Sequence, residues 1–162
     1  MNLNPGSSKI VEKRPPFTFK SGAIYDGRWC GTMRDGYGLQ ICITIYSNKK
    51  GPDGARYEGE WKENKACGNG KFWHVDGDIF EGEWKDDKAN GFGTYVHVNG
   101  ARYEGNWKED LQDGEGIEMW ADGSRYEGCY KDGKKHGTGN YTWVYSSIKS
   151  QRAMARNIQG SG

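Results

Sequence analysis

From Tyr57 onward, bulky aromatic residues and glycines alternate with charged residues in short stretches. In Tyr57-Glu58-Gly59-Glu60-Trp61-Lys62, the odd positions are aromatic or glycine and the even positions are charged. Period two is the signature of a strand whose faces differ, here one of rings and one of charges. A polar stretch, Glu63 to Cys67, separates this run from a second alternating one. There, Gly68, Gly70, Phe72 and His74 share one side, and Asn69, Lys71, Trp73 and Val75 take the other. The pair reads as a β-hairpin. Asp76-Gly77 leads out of it, and Asn99-Gly100 and Asp122-Gly123 stand in equivalent places. Such dipeptides are strong hairpin signals, because they accept the positive φ that matches strand twist.

The hairpin is repeated. Phe80-Glu81-Gly82-Glu83-Trp84-Lys85, Tyr103-Glu104-Gly105-Asn106-Trp107-Lys108 and Tyr126-Glu127-Gly128-Cys129-Tyr130-Lys131 copy the first run, each 23 residues after the last. Tyr25-Asp26-Gly27-Arg28-Trp29 is a weaker earlier copy. A fixed period of this length marks a repeat array, in which each unit needs its neighbours for stability. The predicted fold is all-β: a repeat array of antiparallel β-hairpins forming one elongated, twisted, single-layer sheet of about ten strands. The paired glycines (Gly68/Gly70, Gly91/Gly93, Gly114/Gly116, Gly137/Gly139) are expected to leave room for a ring from the facing strand.

The array is expected to span residues 17–143, as a half-unit plus about five units. Residues 1–16 form a basic N-terminal segment, and Pro15-Pro16 is expected to stop strand pairing there. Residues 144–162 form a basic tail with poor helical spacing. Tyr25 and Tyr57 lie 32 residues apart, so the first full unit carries an insertion near residues 42–51.

Composition fits a thin sheet rather than a deep core, since hydrophobic residues make up only 34% of the chain while glycine supplies 26 of its 162 residues. The overall charge of +1 hides an uneven distribution: residues 1–20 carry +3, residues 134–162 carry +5, and the repeat body between them carries −7. An acidic body argues against nucleic acid, which selects clustered Lys and Arg. No apolar run approaches the length of a membrane helix, and the polar N-terminus predicts no secretory signal. Cys30, Cys42, Cys67 and Cys129 form no CxxC pair, so free thiols in a reducing, cytoplasmic setting are expected.

Tyr-Glu-Gly-x-Trp-Lys, then Gly-x-Gly, then Asp-Gly, at period 23, resembles the MORN repeat (membrane occupation and recognition nexus). The resemblance is close from Tyr57 to Trp143 and looser at Tyr25. It implies stacked β-hairpins and a non-catalytic scaffold without a cofactor. MORN proteins occur in axonemal and cytoskeletal assemblies, at membrane contacts, and beside the catalytic domains of lipid kinases and a histone methyltransferase. The resemblance therefore implies a cytoskeletal setting such as a cilium or axoneme. Neither catalytic domain is expected here.

The ring face is the candidate partner site. Tyr57, Phe80, Tyr103 and Tyr126 form one row, and Trp61, Trp84, Trp107 and Tyr130 a second, with Phe72, Tyr95 and Tyr141 alongside. A single-layer sheet has no second layer to cover them, so a groove holding a helix or extended segment of a protein is expected, with self-association through strand edges also open. Glu118 interrupts the ring pattern. The alternative function is a peripheral membrane tether, in which Lys134, Lys135, Lys149, Arg152 and Arg156 would contact anionic phospholipid weakly and salt-sensitively. The glutamate pairs of the other face are by-products of the repeat and predict no acid–base site. His74 and His97 lack a third metal ligand, and no phosphate-loop motif is present.

Overall fold

A computed structural model describes residues 9–42 and 54–144. Within them, β1 (Val11–Lys13) and β2 (Phe17–Thr18) precede five hairpins. These pair β3 (Ile24–Cys30) with β4 (Met33–Ile41), β5 (Arg56–Lys62) with β6 (Lys65–Trp73), and β7 (Ile79–Lys85) with β8 (Lys88–Val96). They continue with β9 (Arg102–Lys108) and β10 (Leu111–Met119), then β11 (Arg125–Lys131) and β12 (Lys134–Thr142). All twelve strands join one open antiparallel sheet, and from β3 onward the spatial order follows the chain.

Pairing begins before the prolines expected to block it. β1 and β2 both lie along β3, with Val11 opposite Cys30 and Phe17 opposite Tyr25, and the register slips by one residue between them. Pro15-Pro16 breaks the ladder without ending the sheet, because an edge strand tolerates a residue that lacks an N–H.

The turns divide the work differently from the sequence reading. The first hairpin turns at Gly31-Thr32, with Gly31 alone at positive φ; after β5, β7, β9 and β11 the polar stretch is almost all strand, and only Glu63-Asn64, Asp86-Asp87, Glu109-Asp110 and Asp132-Gly133 turn, with both residues of each pair at positive φ. That is the mark of a two-residue type I′ hairpin, whose twist matches the strands. Glu accepts this conformation reluctantly, Asn and Asp more readily, and contacts to the preceding unit hold the turns there. Asp87 N–H donates to Ala66 O (3.1 Å), while Asp87 Oδ1 accepts from Ala66 N–H (2.7 Å). Asp110 and Ala89 repeat both bonds, as do Asn64 and Arg34. At the last hairpin, Gly133 keeps only the backbone bond to Gln112 O.

The Asp-Gly and Asn-Gly positions form wider loops. His74 N–H donates to Asp78 O, Gly77 N–H donates to His74 O, and only the glycine has positive φ. This is the three-residue loop closed by a left-handed glycine. The long insertion opens from the same place. Cys42 N–H donates to Ala55 O (2.8 Å), the bond that His74 and Asp78 make elsewhere. That bond brackets the insertion, of which residues 43–53 lie outside the described residues.

The two glycines of each Gly-x-Gly have separate roles. Gly68, Gly91, Gly114 and Gly137 have positive φ and sit where the hairpin register shifts. The second glycine receives the ring. A Cβ on Gly70 would lie 2.3 Å from the Tyr57 hydroxyl oxygen, and one on Gly116 would lie 2.4 Å from that of Tyr103. Only the second glycine of each pair matches the expected role.

Candidate functional site

The ring face is built from the glycine cradle upward. Each Tyr lies over the glycines of its own and the paired strand, and its hydroxyl donates to the carbonyl three residues on. Tyr25 reaches Arg28 O (3.0 Å), Tyr57 reaches Glu60 O (3.1 Å) and Tyr103 reaches Asn106 O (3.0 Å). Phe80 fills the same place without this bond. Each Trp then spans two units. Trp61 Nε1–H donates to Gly38 O, Trp84 to Gly70 O and Trp107 to Gly93 O, at 3.0–3.1 Å. The indole Nε1 of Trp29 is buried and has no partner among the described residues.

The rings meet edge to face in one continuous ladder. Tyr57 touches Trp61 (5.0 Å between centroids) and Trp84 (5.1 Å), Phe80 touches Trp84 and Trp107 (5.2 Å each), and Tyr103 touches Trp107 and Tyr130 (5.1 Å each). The ladder continues to Tyr25 and Trp29 at one end and to Tyr126 at the other. Contacts of this geometry stabilise by about 0.5–1.5 kcal/mol each beyond area burial. Repeated across every unit boundary, they make the ladder the core of a sheet that has no second layer.

This burial separates the expected partner-binding rings into groups. Tyr57, Trp61, Phe80, Tyr103, Tyr126 and Tyr130 are all buried. They hold units together and offer little surface to a partner. Phe72, Trp84, Tyr95 and Trp107 are half-buried, and Tyr141 is exposed. Glu118 accepts from the Tyr130 hydroxyl (3.2 Å) and pairs with Lys135 (2.7 Å), so a carboxylate substitutes for the missing ring.

Exposed apolar residues lie at the loops that follow the second strands, where period-two reasoning puts Val75 on the side away from the rings and assigns nothing to Val98 or Trp143. Val75 is 68% exposed, Val98 73% and Trp143 71%. Next to them in sequence, His74 and His97 pack against the Tyr95 ring (5.7 and 4.7 Å), and Trp143 follows Trp120 and Tyr141 in one series of ring contacts. Asp78 ties two of these loops together. Its carboxylate accepts from Val98 N–H (2.9 Å) and the Tyr95 hydroxyl (2.8 Å), and it lies 2.9 Å from His97 Nδ1. The Val98 amide, then the Tyr95 hydroxyl and His97, hold its pKa below the ordinary aspartate value. Nothing in the repeat marks this position, since its equivalents are Ala55, Ala101 and Ser124.

Burial also affects the tyrosine hydroxyls, pushing Tyr25, Tyr95 and Tyr103 up to about 12 and Tyr57 and Tyr130 further. Their folded-state pKa values exceed the unfolded value of 10.0, so the neutral hydroxyl is favoured by folding. The associated stability is full below that unfolded value and is lost as pH rises through the folded one. The urea midpoint should stay level up to about pH 9 and fall steeply by about pH 11. An equal midpoint at both would contradict the buried hydroxyls.

The opposite face carries Leu39, Glu58, Lys71, Glu81, Thr94, Glu104, Ile117 and Glu127 in one registered row. It is less uniformly charged than the alternation suggests. Tyr37 and Phe92 are more than half exposed on it, and a hollow of about 830 Å³ opens over β8–β12. Of the cations expected to meet lipid, Lys134 and Lys135 begin β12. Lys135 is already engaged by Glu118 and lies over the Trp120 and Tyr126 rings. Lys149, Arg152 and Arg156 lie outside the described residues.

An open sheet of stacked hairpins with one ring ladder defines a β-hairpin repeat protein. The MORN repeat family model matches four consecutive stretches, residues 57–79, 80–102, 103–125 and 126–144. These cover more than half of the chain, and the protein belongs to the MORN-repeat family, whose repeats are generally non-catalytic. The unit at Tyr25 lies before the matched stretches and has the same glycine cradle, carbonyl bond and ring contacts. No curated protein matches the chain.

Proposed function

We propose that this protein is a non-catalytic scaffold that holds a protein partner along the exposed part of its ring face, in a cytoskeletal or axonemal assembly. The supporting observation is an apolar ledge, Val75, Val98, Tyr141 and Trp143, exposed beside a ladder whose rings are mostly buried. An exposed apolar strip on a rigid base suits a helix or extended segment that buries its own apolar side. The membrane alternative draws little from the described residues, where Lys134 is the one expected lipid contact without a paired carboxylate.

The test compares wild type with a Val98→Glu, Tyr141→Ser double variant as bait in native cell lysate. A protein held stoichiometrically by wild type should be lost from the variant, while the thermal melt is unchanged. Retention of that protein by a folded variant would remove the ledge as the binding site.

A further inference from the structure

The face opposite the rings has its own geometry. Glu58, Glu81, Glu104 and Glu127 occupy one row, each two strands from the next. Neighbouring strands lie about 4.8 Å apart, so these carboxylates recur about every 9.6 Å along the array. The 830 Å³ hollow covers the C-terminal half of this row. Glu104, Glu115 and Glu127 line it, with Ile117, Phe92 and a floor of glycine backbone, and no Lys or Arg does. Smaller hollows continue it over Glu81 and then over Glu58 and Tyr37.

The recurring spacing discriminates among peptide conformations. In polyproline II, every third residue returns to the same side after about 9.3 Å. In a β-strand, the third residue points to the opposite side. On an α-helix, the nearest comparable same-face spacing is two turns, about 10.8 Å. A left-handed polyproline segment thus keeps step with the carboxylates over several units. Its prolines also suit exposed aromatic rings such as Phe92 and Tyr37.

We propose that the carboxylate face is a docking groove for a basic, proline-rich segment of a protein partner, bound as polyproline II along the array axis with Lys or Arg at every third position. Arg102 and Arg125 already pair with Glu104 and Glu127 through Oε2. Those pairs are solvent-exposed and intrastrand, and a carboxylate has acceptor sites for a second cation. Glu115 has no side-chain partner among the described residues and adds charge between them. Lys71 pairs with Glu81, which weakens the site toward the N-terminal units and concentrates it over β8–β12.

Fluorescence anisotropy on the full chain at low salt tests this with two labelled peptides of equal length and charge. One is a repeat of Arg-Pro-Pro; the other has the same composition with its arginines in adjacent pairs. The regularly spaced peptide should bind about tenfold tighter, and Glu104→Gln with Glu127→Gln should remove that preference while leaving the circular-dichroism melt unchanged. Equal affinity for the two peptides would reduce the face to non-specific charge attraction and overturn the proposal. Undiminished binding by the double variant, or no binding by wild type, would do the same. Should the double variant instead dissociate a dimer that neither peptide competes for, the face belongs to a second copy of this chain. The ledge experiment uses a different surface and a native partner, so either result can fail alone.

Discussion

Gly105→Ala should be among the most damaging single-methyl changes in this protein. A Cβ at residue 105 would lie 2.5 Å from Gly116 Cα, 2.6 Å from Glu115 O and 2.7 Å from the Tyr103 hydroxyl oxygen. The first two atoms are backbone of the paired strand, directly opposite in register. Side-chain rotation cannot relieve them; β9 and β10 would have to separate. Overpacking of this kind typically costs 1–3 kcal/mol when neighbours can shift, and about 3 kcal/mol or more is expected here. The change should lower the urea midpoint sharply. Gly116→Ala is a useful contrast, because its three nearest contacts are all Tyr103 side-chain atoms. Adding Tyr103→Leu should recover part of the Gly116→Ala loss and almost none of the Gly105→Ala loss. A small, fully rescued effect at residue 105 would mean that the strands do not approach this closely.

Trp61→Ala should cost about 4 kcal/mol, in the range of large aromatic truncations in a core. The indole is buried between Tyr25 and Tyr57, donates to Gly38 O at 3.1 Å, and carries the Arg34 guanidinium 4.1 Å from its ring centroid. It joins the first complete hairpin to the second. In a quasi-one-dimensional array, removing one boundary contact uncouples the units on either side. The β1–β4 end should therefore melt in a separate, earlier transition, visible by hydrogen exchange as lost protection confined to those strands. Trp61→Phe keeps an aromatic ring but loses the N–H and the second ring of the indole, and should cost about 2 kcal/mol. If Trp61→Ala unfolded in one unbroken transition at nearly the wild-type midpoint, the ladder would not be what couples the units.

Much of this architecture was legible because the repeat imposes two rules at once. Alternation put Tyr57, Gly59 and Trp61 on one side, and the 23-residue spacing put Tyr57, Phe80, Tyr103 and Tyr126 in line. Both hold in the structure. The turn assignment was partly misread. Asp76-Gly77 is the stronger dipeptide signal, but Glu63-Asn64 takes the tighter turn, because hydrogen bonds from the preceding unit compensate its positive φ. Local propensity does not include those bonds. Pro15-Pro16 was also misjudged as a stop, since the cost of a missing N–H depends on whether the strand is internal or at an edge.

The candidate site was less legible than the fold. The single-layer architecture led to the expectation that part of the ring face stays open as a groove. Tyr25, Tyr57 and Phe80 are covered by the next unit's Trp, Tyr103 by Tyr130, and each by its glycine cradle, so most of the row is core. The exposed valines and Trp143 lie at loop positions whose sequence looks ordinary.

By itself, the sequence determined the β-hairpin unit, its period, the ring and carboxylate faces and the family, because these follow from alternation and spacing along the chain. Tertiary structure alone decided which rings are buried, that Asp78 links two loops, and that a hollow lies over the carboxylate row. Those properties depend on contacts between units that are adjacent in space, and no single repeat contains them.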